Sequence, residues 1–159
     1  MIALQDANFA TKHLSLSTAL PPGSLFVSAD ADALSIVLSN LIGNAFKYTP
    51  DGGSVTVQVA LEAAQTAIVT VEDAGIGIAP EDIQRISSGC YRAKPGKIAA
   101  GGYGVGLKVV RDLLESQHSR LEIDSALGRG SRFSFRLPLW RGPSPDAGRV
   151  VTVGRPKAL

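Results

Sequence analysis

Asn40, Asn44, Lys47 and Tyr48 fall at i, i+4, i+7 and i+8 of one uninterrupted stretch, a spacing that gathers all four side chains on one face of a helix. An Asn amide oxygen is a hard ligand suited to Mg²⁺, which keeps several waters and is usually shared with substrate phosphates. A neighbouring ammonium can meet the remaining phosphate charge, and a tyrosine can pack on a base. A solvated helix surface carries the same residue types, so the quartet gains its meaning from two motifs downstream in the chain. Asp73-Ala74-Gly75-Ile76-Gly77 places a carboxylate where it can accept a hydrogen bond from an exocyclic amine such as that of adenine. Gly75 and Gly77 allow the backbone to approach a flat ring, and Ile76 or Ile78 supplies an apolar wall; an ordinary Asp-capped turn has the same pattern. Gly102-Tyr103-Gly104-Val105-Gly106 stands directly before a helical pattern, where unpaired backbone N–H groups and the positive end of a helix dipole can hold phosphate. The chain has neither the alternating β-α-β start of a dinucleotide fold nor a Gly-x-x-x-x-Gly-Lys-Ser/Thr loop.

The elements that must position these residues are legible in the periodicity. Lys12 to Leu20 alternates and stops at Pro21-Pro22-Gly23, which predicts a first strand and a turn. Ser28-Ala29-Asp30 offers caps for a helix with Leu34, Val37, Leu38, Leu41, Ile42 and Ala45 on its buried side, ending near Thr49-Pro50. Val55, Val57 and Val59 alternate as a half-buried strand, and Ala67 to Glu72 is its hairpin partner, leading straight into Asp73. Pro80-Glu81-Asp82 opens a short helix. Ser87 to Gly102 has the composition of a mobile loop and reads as a lid. A second amphipathic helix runs from the glycines to about His118, with Leu107, Val110, Leu113 and Leu114 inward, and strands follow at Leu121 to Ser125 and Arg132 to Leu137. Residues 1–140 form one domain by this reading, with the motifs between 30 and 139. Residues 141–159, rich in Pro, Gly and Arg, are expected to form a flexible tail.

With 159 residues, 45% hydrophobic and 19% charged, and a mean hydropathy of +0.15, the composition fits one soluble domain. A net charge of +2 with scattered basic residues disfavours nucleic acid, and neither an apolar run of spanning length nor a signal-peptide pattern is present. A cytoplasmic setting without membrane contact is the expectation. The single Cys90 allows no internal disulfide.

Taken in order, LSNLIGNAFKYTPDGG, VEDAGIGIAPED, GGYGVGLKVV and GRGSRFSFRLPL resemble the four nucleotide-binding boxes of the sensor histidine kinase catalytic domain, within the GHKL or Bergerat ATPase superfamily. The resemblance covers about residues 30–139. It implies an α/β two-layer sandwich, with a mixed, mostly antiparallel sheet, helices on one face and a mobile ATP lid. It further implies that Asn44 binds Mg²⁺ with Asn40 one turn earlier, Lys47 contacts phosphate and Tyr48 flanks the base. Asp73 would read the adenine amine with Ser131, and Gly75 and Gly77, with Ile76 and Ile78, would shape the pocket. Gly102, Tyr103, Gly104, Val105, Gly106 and Leu107 would form the phosphate-facing start of the helix behind the lid.

Two departures from the family pattern carry chemistry. The lid segment reads Ile86-Ser87-Ser88-Gly89-Cys90-Tyr91-Arg92, keeping only the Tyr-Arg end of a Phe-x-x-Phe-Tyr-Arg-like motif; Arg92 remains the candidate to steady transferred phosphate charge. ATP-hydrolysing members such as gyrase and the Hsp90 chaperones typically carry Glu where this chain has Asn40, and an amide cannot serve as base toward water. Phosphoryl transfer to an imidazole needs positioning and charge neutralisation instead. Neither His13 nor His118 has the sequence context of an acceptor, so the acceptor histidine is expected on a separate dimerisation domain of the same parent kinase. A response regulator is the indirect partner, and the isolated domain is expected to be a monomer. A serine kinase of the anti-sigma-factor type and a degenerate nucleotide-binding regulator are the alternatives.

Overall fold

The computed structural model describes residues 12–63, 65–87, 104–142 and 150–154. In chain order these form β1 (Ser15–Ala19), β2 (Ser24–Ser28), α1 (Ala31–Tyr48), β3 (Ser54–Ala63), β4 (Thr66–Asp73), α2 (Pro80–Ser87), α3 (Gly104–Ser116), β5 (Glu122–Ser125), β6 (Ser131–Pro138) and β7 (Val150–Gly154). The main sheet has the order β1-β3-β4-β6-β5, with β1 parallel to β3 and every other pairing antiparallel.

Period-two alternation decides which face of that sheet is covered. The register aligns Val57 with Val71 and Phe133, and Val59 with Val69 and Phe135, so the apolar side chains of three strands lie on one face. Together with Leu34, Val37, Leu41 and Ala45 of α1, and Leu107, Val110 and Leu114 of α3, they form the buried core. Each large apolar side chain removed from water contributes about 1.5–3 kcal/mol. The opposite face is polar: Arg132 donates to Glu72 from Nε and Nη2 at 3.1 and 2.8 Å, and Arg136 pairs with both Glu62 and Glu122. One apolar face admits one helical layer, which gives the expected two-layer sandwich with its mixed, mostly antiparallel sheet.

Two segments differ from the sequence reading. Ser24–Ser28, which lies between the expected Pro21-Pro22-Gly23 turn and the helix caps and overlaps the latter only at Ser28, is β2, and Val150–Gly154, inside the expected flexible tail, is β7. They pair antiparallel, Ser24 opposite Gly154 through Ser28 opposite Val150, while Val27 bridges to Leu139. Each strand is too short to announce itself alone, and each depends on the other across more than a hundred residues. Of the expected lid, Ser87 to Gly102, only Ser87 is among the described residues, and it is the last residue of α2.

Candidate functional site

The end of α1 is fixed by Thr49-Pro50. Proline disfavours helical geometry in the residue before it, and Thr49 is extended at φ −83°, ψ 128°, with its hydroxyl donating to the Ala45 carbonyl at 2.6 Å. Carbonyls of the last helical turn are therefore available to other partners. The Tyr48 carbonyl accepts the Ile76 N–H at 3.2 Å, which ties the helix bearing the Asn quartet to the glycine turn after β4.

That turn begins at Asp73, where β4 ends. The Asp73 carboxylate is only 6% exposed and accepts the Gly75 N–H at 2.9 Å, closing a tight Asx turn. Burial pushes its pKa above the usual carboxylate range; backbone N–H groups of Gly75 and Ser131 pull the other way, and neighbouring Glu72 adds to the rise. A side chain at Gly75 would approach the Tyr48 carbonyl to 2.7 Å, so glycine is what lets helix and turn meet. Gly77 has φ +71°, and a Cβ there would overlap the Ala126 carbonyl oxygen.

The β5–β6 loop braces the turn from the other side. Gly128 N–H donates to the Ile76 carbonyl at 2.8 Å, and Ile78 N–H donates to Ser125 Oγ at 2.9 Å. The Ser125 hydroxyl reaches the Gly130 carbonyl at 2.8 Å and lies 3.0 Å from Ser131 Oγ. Ser131 is buried and is the cross-strand neighbour of Asp73. Ser125 is a structural participant that the sequence reading missed; a lone serine before Ala126-Leu127-Gly128 gives no signal of its own.

On the helix side, Asn40 and α3 approach closely: a Cβ at Gly106 would stand 2.7 Å from Asn40 Oδ1. Asn40 Nδ2 donates to the Ile36 carbonyl at 2.8 Å, which leaves Oδ1 facing the first turn of α3. N–H groups in that first turn have no intrahelical acceptor and carry the positive end of the dipole. Asn44 Nδ2 is buried and has no hydrogen-bond partner among the described residues, the condition of a group awaiting a ligand. Lys47 is exposed, with Nζ 5.4 Å from the centre of the Tyr48 ring.

Sequence and structure part in three details. Tyr48, the eighteenth residue of α1, belongs to the buried set rather than to an open polar face. Ile78 is 4% exposed and Ile76 54% exposed, which makes Ile76 the accessible apolar side chain and Ile78 a core residue. Leu107 is likewise in the core, so its part at the helix start falls to its backbone. Gly104 and Val105 open α3, whereas Arg92, Gly102 and Tyr103 lie outside the described residues. The arrangement thus combines a buried carboxylate at a glycine turn, an amide pair one helical turn apart, and a helix N-terminus beside Asn40.

Comparison with known proteins gives the same arrangement a lineage. Residues 29–141 match the family described as histidine kinase-, DNA gyrase B-, and HSP90-like ATPase. The histidine protein kinase DivJ of Caulobacter vibrioides is 40% identical over 133 residues, which is 84% of this chain and 22% of DivJ. The sensor histidine kinase RppB of Synechocystis is 36% identical over 132 residues, 82% of this chain and 29% of RppB. The chain therefore spans less than a third of the length of either relative. Among solved structures, full-length ShkA in complex with AMPPNP superposes with a TM-score of 0.72 at 23% identity, covering 89% of this chain and 29% of ShkA.

Proposed function

Because the chain belongs to the histidine kinase-, DNA gyrase B-, and HSP90-like ATPase family, we propose that it is the ATP-binding catalytic domain of a two-component sensor histidine kinase. Adenine is read by Asp73, phosphates lie between the Asn40–Asn44 face of α1 and the first turn of α3, and the γ-phosphoryl group passes to a histidine on another domain. The observation that carries this is the buried Asp73 carboxylate, which is bound by the backbone N–H groups of Gly75 and Ser131 and, with about four acceptor sites on its two oxygens, has room for a further donor. An exocyclic amine is such a donor.

The residues on the helix side suit Mg²⁺ with phosphate. Asn44 offers an amide oxygen of the hard type that Mg²⁺ takes, while its amide N–H, without a partner among the described residues, suits a phosphate oxygen. Bound there, Mg²⁺ supplies neutralisation of phosphate charge. Lys47 would add an exposed ammonium, and the glycines of α3 would present backbone N–H groups with no side chain of their own. Arg92 would steady transferred charge and Ser131 would support Asp73.

Asn40 stands where hydrolytic members of the family carry a carboxylate base, and its amide is already committed to Ile36. Water is thus left without a base at this position, whereas a neutral imidazole brings its own lone pair. The relatives' names favour histidine over serine as acceptor. The reading gives a monomeric cytoplasmic unit that works with the dimerisation domain of its parent kinase and, through it, with a response regulator; among the described residues no helix is long and apolar enough to cross a membrane. The test is to incubate the chain with Mg²⁺, ATP labelled at the γ-phosphate, and the parent kinase's histidine-bearing dimerisation domain. Acid-labile label on that domain supports the reading; acid-stable label, or release of phosphate alone, contradicts it.

A further inference from the structure

We propose that Lys12 is a positioning residue for the nucleotide, acting through the last turn of α1; this rests on the ATP-binding reading above. Lys12 precedes β1 and is 34 residues from its first partner, yet its Nζ donates to the Phe46 carbonyl at 3.0 Å and the Lys47 carbonyl at 3.2 Å, and it sits 5.4 Å from the centre of the Phe46 ring. Those carbonyls belong to the last turn of α1, where intrahelical donors run out and the dipole is negative, so an ammonium there satisfies acceptors and opposes that charge. The next carbonyl along, that of Tyr48, accepts Ile76 N–H in the adenine turn. Three successive carbonyls are thus divided between Lys12 and the turn of Asp73.

The backbone around Lys12 is fastened to the same place. Gly52 N–H donates to the Lys12 carbonyl at 3.3 Å, Ser15 N–H donates to the Gly53 carbonyl at 2.9 Å, and β1 then runs parallel to β3 from Ser15 opposite Ser54. His13 Nδ1 lies 3.2 Å from Asp51 Oδ1. Lys12 is therefore the side-chain bolt of a strap joining the segment before β1 to the turn that presents Lys47 and Tyr48. Displacement of that segment is transmitted to the nucleotide helix at its functional end. Because coupling between two sites is reciprocal, nucleotide must also tighten the strap.

The experiment measures affinity for a nonhydrolysable ATP analogue with Mg²⁺, together with amide exchange at Ser15 and Gly52, in the unsubstituted chain, Lys12→Met and Lys12→Arg. Lys12→Met keeps the apolar stem and is expected to weaken binding about fivefold, from the usual size of a cation at a helix C-terminus with its hydrogen bonds; Lys12→Arg restores binding to within about twofold. Nucleotide slows exchange at Ser15 and Gly52 in the unsubstituted chain and not in Lys12→Met, a readout that a merely structural lysine leaves unmoved. If the unsubstituted chain binds and Lys12→Met binds equally well, or if exchange at Ser15 and Gly52 is indifferent to nucleotide, the Lys12 proposal fails alone. Should Lys12→Met not fold, the exchange result on the unsubstituted chain decides. No binding by the unsubstituted chain overturns the ATP reading and this proposal together.

Discussion

Replacing Asp73 by Asn separates two roles that one carboxylate combines. The amide keeps an oxygen for Gly75 N–H, now accepted at 2.9 Å by Oδ1, and it removes a charge that burial disfavours. Thermal stability should therefore hold or rise slightly. Binding should suffer, because a hydrogen bond from the adenine amine to a charged acceptor, about 1.5–3 kcal/mol, is lost. At 1.4 kcal/mol per tenfold, this is roughly a 10- to 150-fold weaker complex with an ATP analogue and a loss of preference over GTP. Asp73→Ala should weaken binding comparably and also lower stability, since Gly75 N–H is left without its acceptor. Titration calorimetry and thermal melting measure the two effects separately. The pH dependence carries a sign of its own. A folded-state pKa raised above the unfolded one means that the Asp73 contribution to stability is present below the ordinary Asp range and is lost as pH rises through the raised value. Adenine binding needs the ionised form and runs the other way, weakening as pH falls through that window. Asp73→Asn should abolish both dependences. Unchanged affinity in Asp73→Asn, with adenine preference intact, refutes the assignment.

Asn44→Ala should remove most of the Mg²⁺ dependence of nucleotide affinity while the melting temperature changes little, because the buried Nδ2 of Asn44 has no partner to lose among the described residues; equal dependence in variant and parent counts against Asn44 as the metal-side residue. Gly77→Ala should destabilise the fold by more than about 1–2 kcal/mol, the cost of a left-handed residue with a side chain, since its Cβ also overlaps the Ala126 carbonyl oxygen; a melting temperature within a degree of the parent would show that the turn is not held as described. Deleting residues 150–159 removes β7 from β2 and should cost about 1–2 kcal/mol, roughly 2–8 °C in melting temperature, with nucleotide affinity unchanged within about twofold. A tenfold change in affinity would show that this small sheet reaches the site.

The parts of the fold visible in the sequence are those where one segment states its own geometry. The 3.6-residue apolar spacing from Leu34 to Ala45, the alternation at Val55, Val57 and Val59, and the Thr49-Pro50 stop each encode local structure without reference to a distant partner. The β2–β7 pair was not visible because five residues of modest strand character gain their meaning only from each other. At the site, residue types and order were enough to place Asp73 at the glycine turn and Asn40 one helical turn before Asn44, while the approach of Asn40 to Gly106 of α3 came only from the structure. The bracing of the turn by Ser125 and Gly128 was not legible, because it follows from how the β5–β6 connection meets Ile76 and Ile78, and the burial of Tyr48 and Ile78 is a property of the assembled fold rather than of their local pattern. Lys12 belongs to the same class: nothing at a lysine before a strand announces that its ammonium caps a helix more than thirty residues away.

The central claim is that this fold holds ATP between a buried carboxylate and an amide-bearing helix. Calorimetric titration of the chain with a nonhydrolysable ATP analogue, with and without Mg²⁺ and against GTP, tests it most directly. Saturable binding that strengthens with Mg²⁺ and is selective for adenine is the predicted result; equal binding of GTP, or none of either nucleotide, contradicts it.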